Sequence, residues 1–267
     1  MASKPSVLIL TGYGLNCEAE SRVAWERAGA QATLLHLNDL FQDPSQLHHY
    51  RALMFIGGFS FGDHMGSGHV FAARIRRHMQ NHLTAFIQRG GLILGVCNGF
   101  QIMVKLGLLP GLDSDYATQQ LALTRNDIGH FQNFWVQIGF DSSSPCVFTR
   151  GLDRMSLPIR HGEGKLVVTN RKLLKRMQDQ GCIPCRYINP LTAHPTQTFP
   201  HNPNGSIDAI AGVCDPTGRI FGLMPHPEAY LYPWNHPLHE FQDNKDSSPG
   251  AGQTLFTNAV TWLTAHT

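Results

Sequence analysis

The segment Gly91-Leu92-Ile93-Leu94-Gly95-Val96-Cys97-Asn98-Gly99-Phe100-Gln101 constrains the fold more than any other part of this 267-residue chain. Its short apolar run lacks polar alternation, as suits a strand buried on both faces of a parallel sheet. At Cys97 the pattern switches to a helical one over 99–106, with a glycine two residues to either side of the cysteine. A strand that turns at once into a helix has no room for side chains where the two approach, and its central residue points outward. This is the form of a nucleophile elbow. A cysteine there also lies at a helix N-terminus, whose dipole favours the thiolate.

The surrounding pattern agrees with such a turn. Residues 7–11, 32–37, 52–56 and 92–96 read as strands, and 18–28 and 71–89 carry helical spacing with Gly29 and Gly90 at their ends. From about Leu121 strand-like runs at 131–138, 157–160, 207–214 and 220–224 are interrupted by one helix at 171–180. Residues 231–252, dense in Pro, Asn, Asp, Ser and Gly, read as a long surface loop before a closing helix at 253–265. The expected fold is α/β: a single open, mostly parallel sheet flanked by helices, with an added antiparallel portion, in one domain over 1–267.

Composition narrows the function. The 21 Lys and Arg against 19 Asp and Glu give +2 with no long basic run, so nucleic acid is not an expected partner. No apolar stretch reaches the roughly 18 residues of a spanning helix and the start lacks a cleavage-site pattern, which predicts a cytoplasmic protein with no membrane contact. In such a chain the six cysteines read as free thiols.

Two further segments can serve a thiol nucleophile. In Gly57-Gly58-Phe59-Ser60-Phe61-Gly62-Asp63 the glycines let bare N–H groups face a ligand where neighbouring strand ends converge. The backbone N–H of Asn98 is one candidate oxyanion donor, and this loop is a source of the second, although the same composition also makes plain turns. In Pro225-His226-Pro227-Glu228, Pro227 holds His226 extended, so that His226 and Glu228 point the same way as base and orienting carboxylate for Cys97. Cys182-Ile183-Pro184-Cys185 has metal or redox spacing, but no second ligand pair at zinc spacing accompanies it, so no metal is expected. Cys17, near a helix start with no elbow around it, reads as structural.

The elbow Gly95-Val96-Cys97-Asn98-Gly99-Phe100-Gln101, the Gly57–Asp63 loop, His161-Gly162-Glu163-Gly164 and Pro225-His226-Pro227-Glu228 together resemble the glutaminase subunits of phosphoribosylformylglycinamidine synthase, within the class I glutamine amidotransferases. Asn16-Cys17-Glu18, Arg27-Ala28-Gly29-Ala30 and the run from Asp208 to Val213 extend the resemblance to about Glu228. It implies a flavodoxin-like domain with Cys97, His226 and Glu228 as catalytic triad, Gly58 and Asn98 as oxyanion donors, and Gln101 as a glutamine-binding residue. It also implies no cofactor in this chain, a synthetase subunit that uses ATP and Mg, and a small accessory subunit. The ammonia released would amidate formylglycinamide ribonucleotide in purine biosynthesis. Ile56, Gly66 and Ala229 depart from the usual Pro, Arg and Arg of that branch, away from the triad. A non-catalytic interaction subunit, a paralogue serving another synthetase, and a stand-alone cysteine hydrolase are the alternatives.

Overall fold

The computed structural model of the protein describes residues 4–241 and 249–266. Strands β1 (Ser6–Thr11), β2 (Gln31–His36), β3 (Ala52–Phe55) and β4 (Leu92–Val96) run parallel, linked by α1 (Glu18–Arg27), α2 (Leu37–Gln42) and α3 (His69–Gln88). After β4 come α4 (Asn98–Leu106), β5 (Leu121–Arg125), β6 (Gln132–Phe140), β7 (Arg154–His161), β8 (Glu163–Val168) and α5 (Arg171–Asp179). Strands β9 (Cys185–Tyr187), β10 (Ile210–Cys214) and β11 (Ile220–Leu223) and the terminal α6 (Gln253–Ala265) complete the chain.

The main sheet has the order β2-β1-β3-β4-β11-β10-β9-β6-β7, and β5 and β8 form a separate antiparallel pair. Five strands, β2 to β11 in that order, are parallel, and the rest extend the sheet in antiparallel fashion. Burial follows this division. Every residue of β3, β4, β10 and β11 is buried, whereas β6 mixes buried, half-buried and exposed positions, because only the inner strands are covered on both faces. In α3 the buried Phe71, Ile75, Met79, Leu83 and Phe86 recur at three- and four-residue intervals, a stripe that faces the core.

The structure corrects some expected boundaries. Leu37 begins α2 instead of ending β2, because the His36 Nδ1 accepts from Asn38 N–H at 3.2 Å and caps the helix. The 207–214 run is a strand only from Ile210, since Ile207–Ala209 forms a 3-10 turn. Strands β5, β8 and β9 were not separated by periodicity: β9 has three residues, too few for any period to show. Of the predicted 231–252 loop, Pro233–Asn235 and His239–Phe241 form single 3-10 turns, and 242–248 lies outside the described residues. No helix among the described residues is long and apolar enough to cross a membrane.

Candidate active site

The elbow forms as the glycine spacing demands. Cys97 adopts φ 52°, ψ −108°, a conformation an L-residue holds only when its surroundings impose it. The imposition comes from packing on both sides. A Cβ on Gly99 would collide with the carbonyl of Phe55, and one on Gly95 with the sulfur of Met103 and the backbone of Gly99. Helix α4 can therefore lie against β3 and β4 only without these side chains. Cys97 is buried, with its thiol donating to the carbonyl of Arg160 at 3.6 Å.

His226 follows β11, the parallel neighbour of β4, and this adjacency brings it to Cys97. Its N–H donates to the carbonyl of Pro158 at 2.8 Å, anchoring the segment to β7. The backbone at His226 is extended, as expected before a proline, but Glu228 lies in the 3-10 turn Pro227–Ala229. The two side chains meet nonetheless: Nδ1–H donates to Glu228 Oε1 at 2.6 Å, with both residues buried. Burial alone would lower the affinity of His226 for its second proton. The Glu228 carboxylate, the charge of Cys97 and the contacts of the Cys17 and Cys97 thiols outweigh it, so the imidazole titrates well above its usual range.

Two small cavities meet at Cys97. The first, about 140 Å³, is walled by Gly58, Asp63, Ser67, Gln101, Arg160 and Glu163. The second, about 180 Å³, shares Gly58, Cys97 and Arg160 but adds Asn16, Cys17, Asn133 and His226. Phe59 and Phe131, 43% and 47% exposed with ring centroids 6.1 Å apart, stand beside both. Gly58 (φ +138°) faces Cys97 across these cavities, and among the described residues no backbone acceptor meets its N–H or that of Asn98.

The first cavity is held by a polar lattice. Gln101 donates to the Glu163 carbonyl and accepts from Asn98 Nδ2 at 2.9 Å; the same amide reaches Asp63 Oδ1 at 3.4 Å. Ser67 N–H donates to Glu163 Oε2 at 3.2 Å. Burial, aided by the Glu163 charge, raises the Asp63 carboxyl above its ordinary range against hydrogen bonds from Ser67 and Asn98. His161 is buried beside Asn126 (Nδ1 to Oδ1 3.2 Å), and burial together with the His226 charge lowers it to about 3. It is a neutral imidazole at neutral pH.

All six predicted site residues thus converge: Cys97, Gly58, Gln101 and His226 line the cavities, with Asn98 and Glu228 directly behind them. Asp63, Arg160, His161 and Glu163 also line the first cavity with no role expected from the sequence, although Asp63, His161 and Glu163 lie in the Gly57–Asp63 and His161–Gly164 segments. Cys17, expected to be structural, has its thiol beside His226, a contact that nothing in the local sequence signals. Cys182 and Cys185 are core residues, their thiols raised by burial, Cys182 to about 12. They belong to no group of three or more metal-ligating side chains among the described residues.

Fold and site define an α/β protein with a strained elbow thiol beside a carboxylate-held imidazole, the arrangement of thiol-dependent acyl transfer. Residues 4–263 match the family model of the CobB/CobQ-like glutamine amidotransferase domain, and the chain belongs to that family. Among its relatives, phosphoribosylformylglycinamidine synthase subunit PurQ of Methanococcus maripaludis is 41% identical over 94% of this chain and 91% of its own. The subunit of the same name from Dehalococcoides mccartyi is 39% identical over 97% and 98%. Among solved structures, that of PurLQS from Thermotoga maritima contains a chain with a TM-score of 0.70 and 27% identity, covering 97% of this chain and 99% of that one.

Proposed function

We propose that this chain is the glutaminase subunit of a phosphoribosylformylglycinamidine synthase, with Cys97 as nucleophile, His226 as acid and base, and Glu228 as the group that holds the base. The observation that carries the chemistry is the 2.6 Å bond from His226 to a buried Glu228 beside a cysteine held at φ 52°. The names of its relatives and their coverage of nearly the whole chain support the pathway.

The Cys97 thiolate attacks the side-chain amide carbon of glutamine lying in the first cavity, where Gln101 and the Asp63–Glu163 lattice supply polar partners for its amino-acid end. The tetrahedral oxygen takes hydrogen bonds from the Gly58 and Asn98 N–H groups, which no backbone acceptor occupies. The imidazolium of His226 gives its Nε2 proton to the leaving nitrogen, and ammonia departs from a glutamyl thioester on Cys97. Neutral His226 then takes a proton from water, which attacks the thioester to release glutamate and restore the thiol. The net reaction is glutamine plus water to glutamate plus ammonia. The ammonia passes to a synthetase subunit that holds ATP and Mg²⁺ and amidates formylglycinamide ribonucleotide; a small accessory subunit completes the assembly.

The test is intact-mass labelling with a glutamine-mimicking electrophile, with and without excess glutamine, on wild type and Cys97→Ala, alone and with the synthetase. One adduct, blocked by glutamine and lost in the variant, is the expected outcome. Failure to label Cys97 even in the assembled complex would leave a non-catalytic subunit.

A further inference from the structure

We propose that Cys17 is a positioning residue for His226, its neutral sulfur holding the edge of the imidazole so that Nε2 faces Cys97. The inference rests on the role proposed above for His226 and adds to it a group on a different part of the chain.

The contact arises from pairing between two loops. Leu15 and Gly58 form an isolated antiparallel bridge, with Asn16 N–H donating to Gly57 O at 3.2 Å and Phe59 N–H to Gly14 O at 2.9 Å. The segment after β1 is thereby pinned across the loop after β3, and Cys17 lies over Gly57. A Cβ on Gly57 would fall 2.8 Å from His226 Cε1 and 3.0 Å from Cys17 Sγ, so ring edge and sulfur share the gap that this glycine leaves. The Cys17 sulfur, a His226 ring nitrogen and a Glu228 oxygen all lie within 4.8 Å of one another.

The direction of the thiol decides what it can do. Its S–H donates to Asn16 Oδ1 at 3.6 Å, so the thiol proton is engaged there and the sulfur meets the imidazole as an acceptor. Among the described residues His226 Nε2 makes no directed hydrogen bond, and the thiols of Cys17 and Cys97 both contact the ring. Burial, with a part from the Glu228 charge, raises the Cys17 thiol to about 11 against its contact with His226. It therefore stays uncharged at working pH and cannot replace Cys97 as nucleophile.

The groups that face His226 are Glu228 on its own turn, Cys97 from the elbow, His161 from the end of β7 and Cys17 from the loop before α1; Glu20 of α1 acts on Cys17. With Nδ1 held by Glu228, a second hold on the Cε1 edge leaves the ring one orientation. An acceptor at that edge also favours the imidazolium, the form that accompanies the Cys97 thiolate. Cys17 lines the cavity that contains Asn133 and His226, and not the one that contains Gln101 and Glu163. Its loss should touch turnover and leave glutamine binding alone.

The experiment compares wild type, Cys17→Ala and Cys17→Ser. Iodoacetamide labelling of Cys97 is followed across pH by peptide mapping, and kcat and KM for glutamine are measured in the assembled complex. For Cys17→Ala we expect kcat to fall about 3- to 10-fold, the worth of one modest hydrogen bond, with KM unchanged and the onset of Cys97 labelling moved to higher pH. Cys17→Ser, whose hydroxyl oxygen is also an acceptor, should recover most of both. A Cys17→Ala profile identical to wild type, a rise in KM at constant kcat, or no recovery with serine would overturn the proposal. Labelling needs no glutamine, so a wild-type complex without glutaminase activity would sink the functional reading and leave the labelling profiles to decide on Cys17. Thermal melts check folding; should Cys17→Ala not fold, Asn16→Ala, which removes the acceptor that orients the thiol, must move the same labelling onset or the proposal fails.

Discussion

Glu228 holds one nitrogen of His226 and so determines which tautomer faces the thiol. Glu228→Gln keeps the size of the side chain but can offer an N–H where a proton acceptor is needed. In a serine triad the corresponding exchange costs roughly 10⁴-fold in kcat. Because a thiol at a helix N-terminus ionises more readily than a hydroxyl, we expect a smaller fall here, about 100-fold, with KM for glutamine little changed, read from steady-state glutaminase assays in the complex. His161 gives a stability prediction of definite sign. Its folded-state value is lowered to about 3, mainly by burial, so below its ordinary value of about 6.5 the unfolded chain takes up a proton that the folded one refuses. Stability is lost as pH falls through that window, at up to about 1.4 kcal/mol per pH unit. His226, raised in the fold, contributes in the opposite sense only above about 6.5, where it adds stability as pH falls and loses it as pH rises. Urea unfolding at pH 7 and pH 5 should show a steeper loss for wild type than for His161→Asn; equal slopes would contradict the assignment.

Among the elements, α4 is the one most determined by what its residues lack. Gly99→Ala would set a methyl group into the Phe55 carbonyl and lift the helix from β3. The expected cost is about 3 kcal/mol, visible as a lowered urea midpoint. Gly66→Ala is the contrasting case: nothing lies within 4 Å of its Cβ, and only a φ of +93° opposes the change, so about 1 kcal/mol should be lost. The inner strands were legible as continuous apolar runs bounded by turn residues, and α1, α3, α4, α5 and α6 because their stripes are long enough to show a period. Less legible were β9, with three residues, and the β5–β8 pair, where Glu163 and Lys165 interrupt the apolar pattern. Glu163 serves the cavity as well as the strand, which explains why strand patterning fails there.

For the whole molecule, the two ends of the chain close on one another. Phe256 of α6 is fully buried and meets Trp25 of α1 edge to face at 5.4 Å, while Gln253 Nε2 donates to the Ala24 carbonyl at 2.9 Å. Phe256→Ala should cost about 3–5 kcal/mol in denaturant unfolding and leave kcat unaffected well below the melting temperature, since α6 supplies no group to either cavity. By itself the sequence determined the elbow, the strands of the first half with α1 and α3 between them, and the nearness of His226 to Glu228, because each depends on residues close along the chain; the last was expected from an extended segment where the structure has a 3-10 turn. Only the tertiary structure decided that β11 lies next to β4, which sets His226 against Cys97, and that a loop bridge brings Cys17 to the same ring over Gly57. Both are contacts between distant segments, set by strand order and by the space a glycine leaves, and no local pattern encodes either.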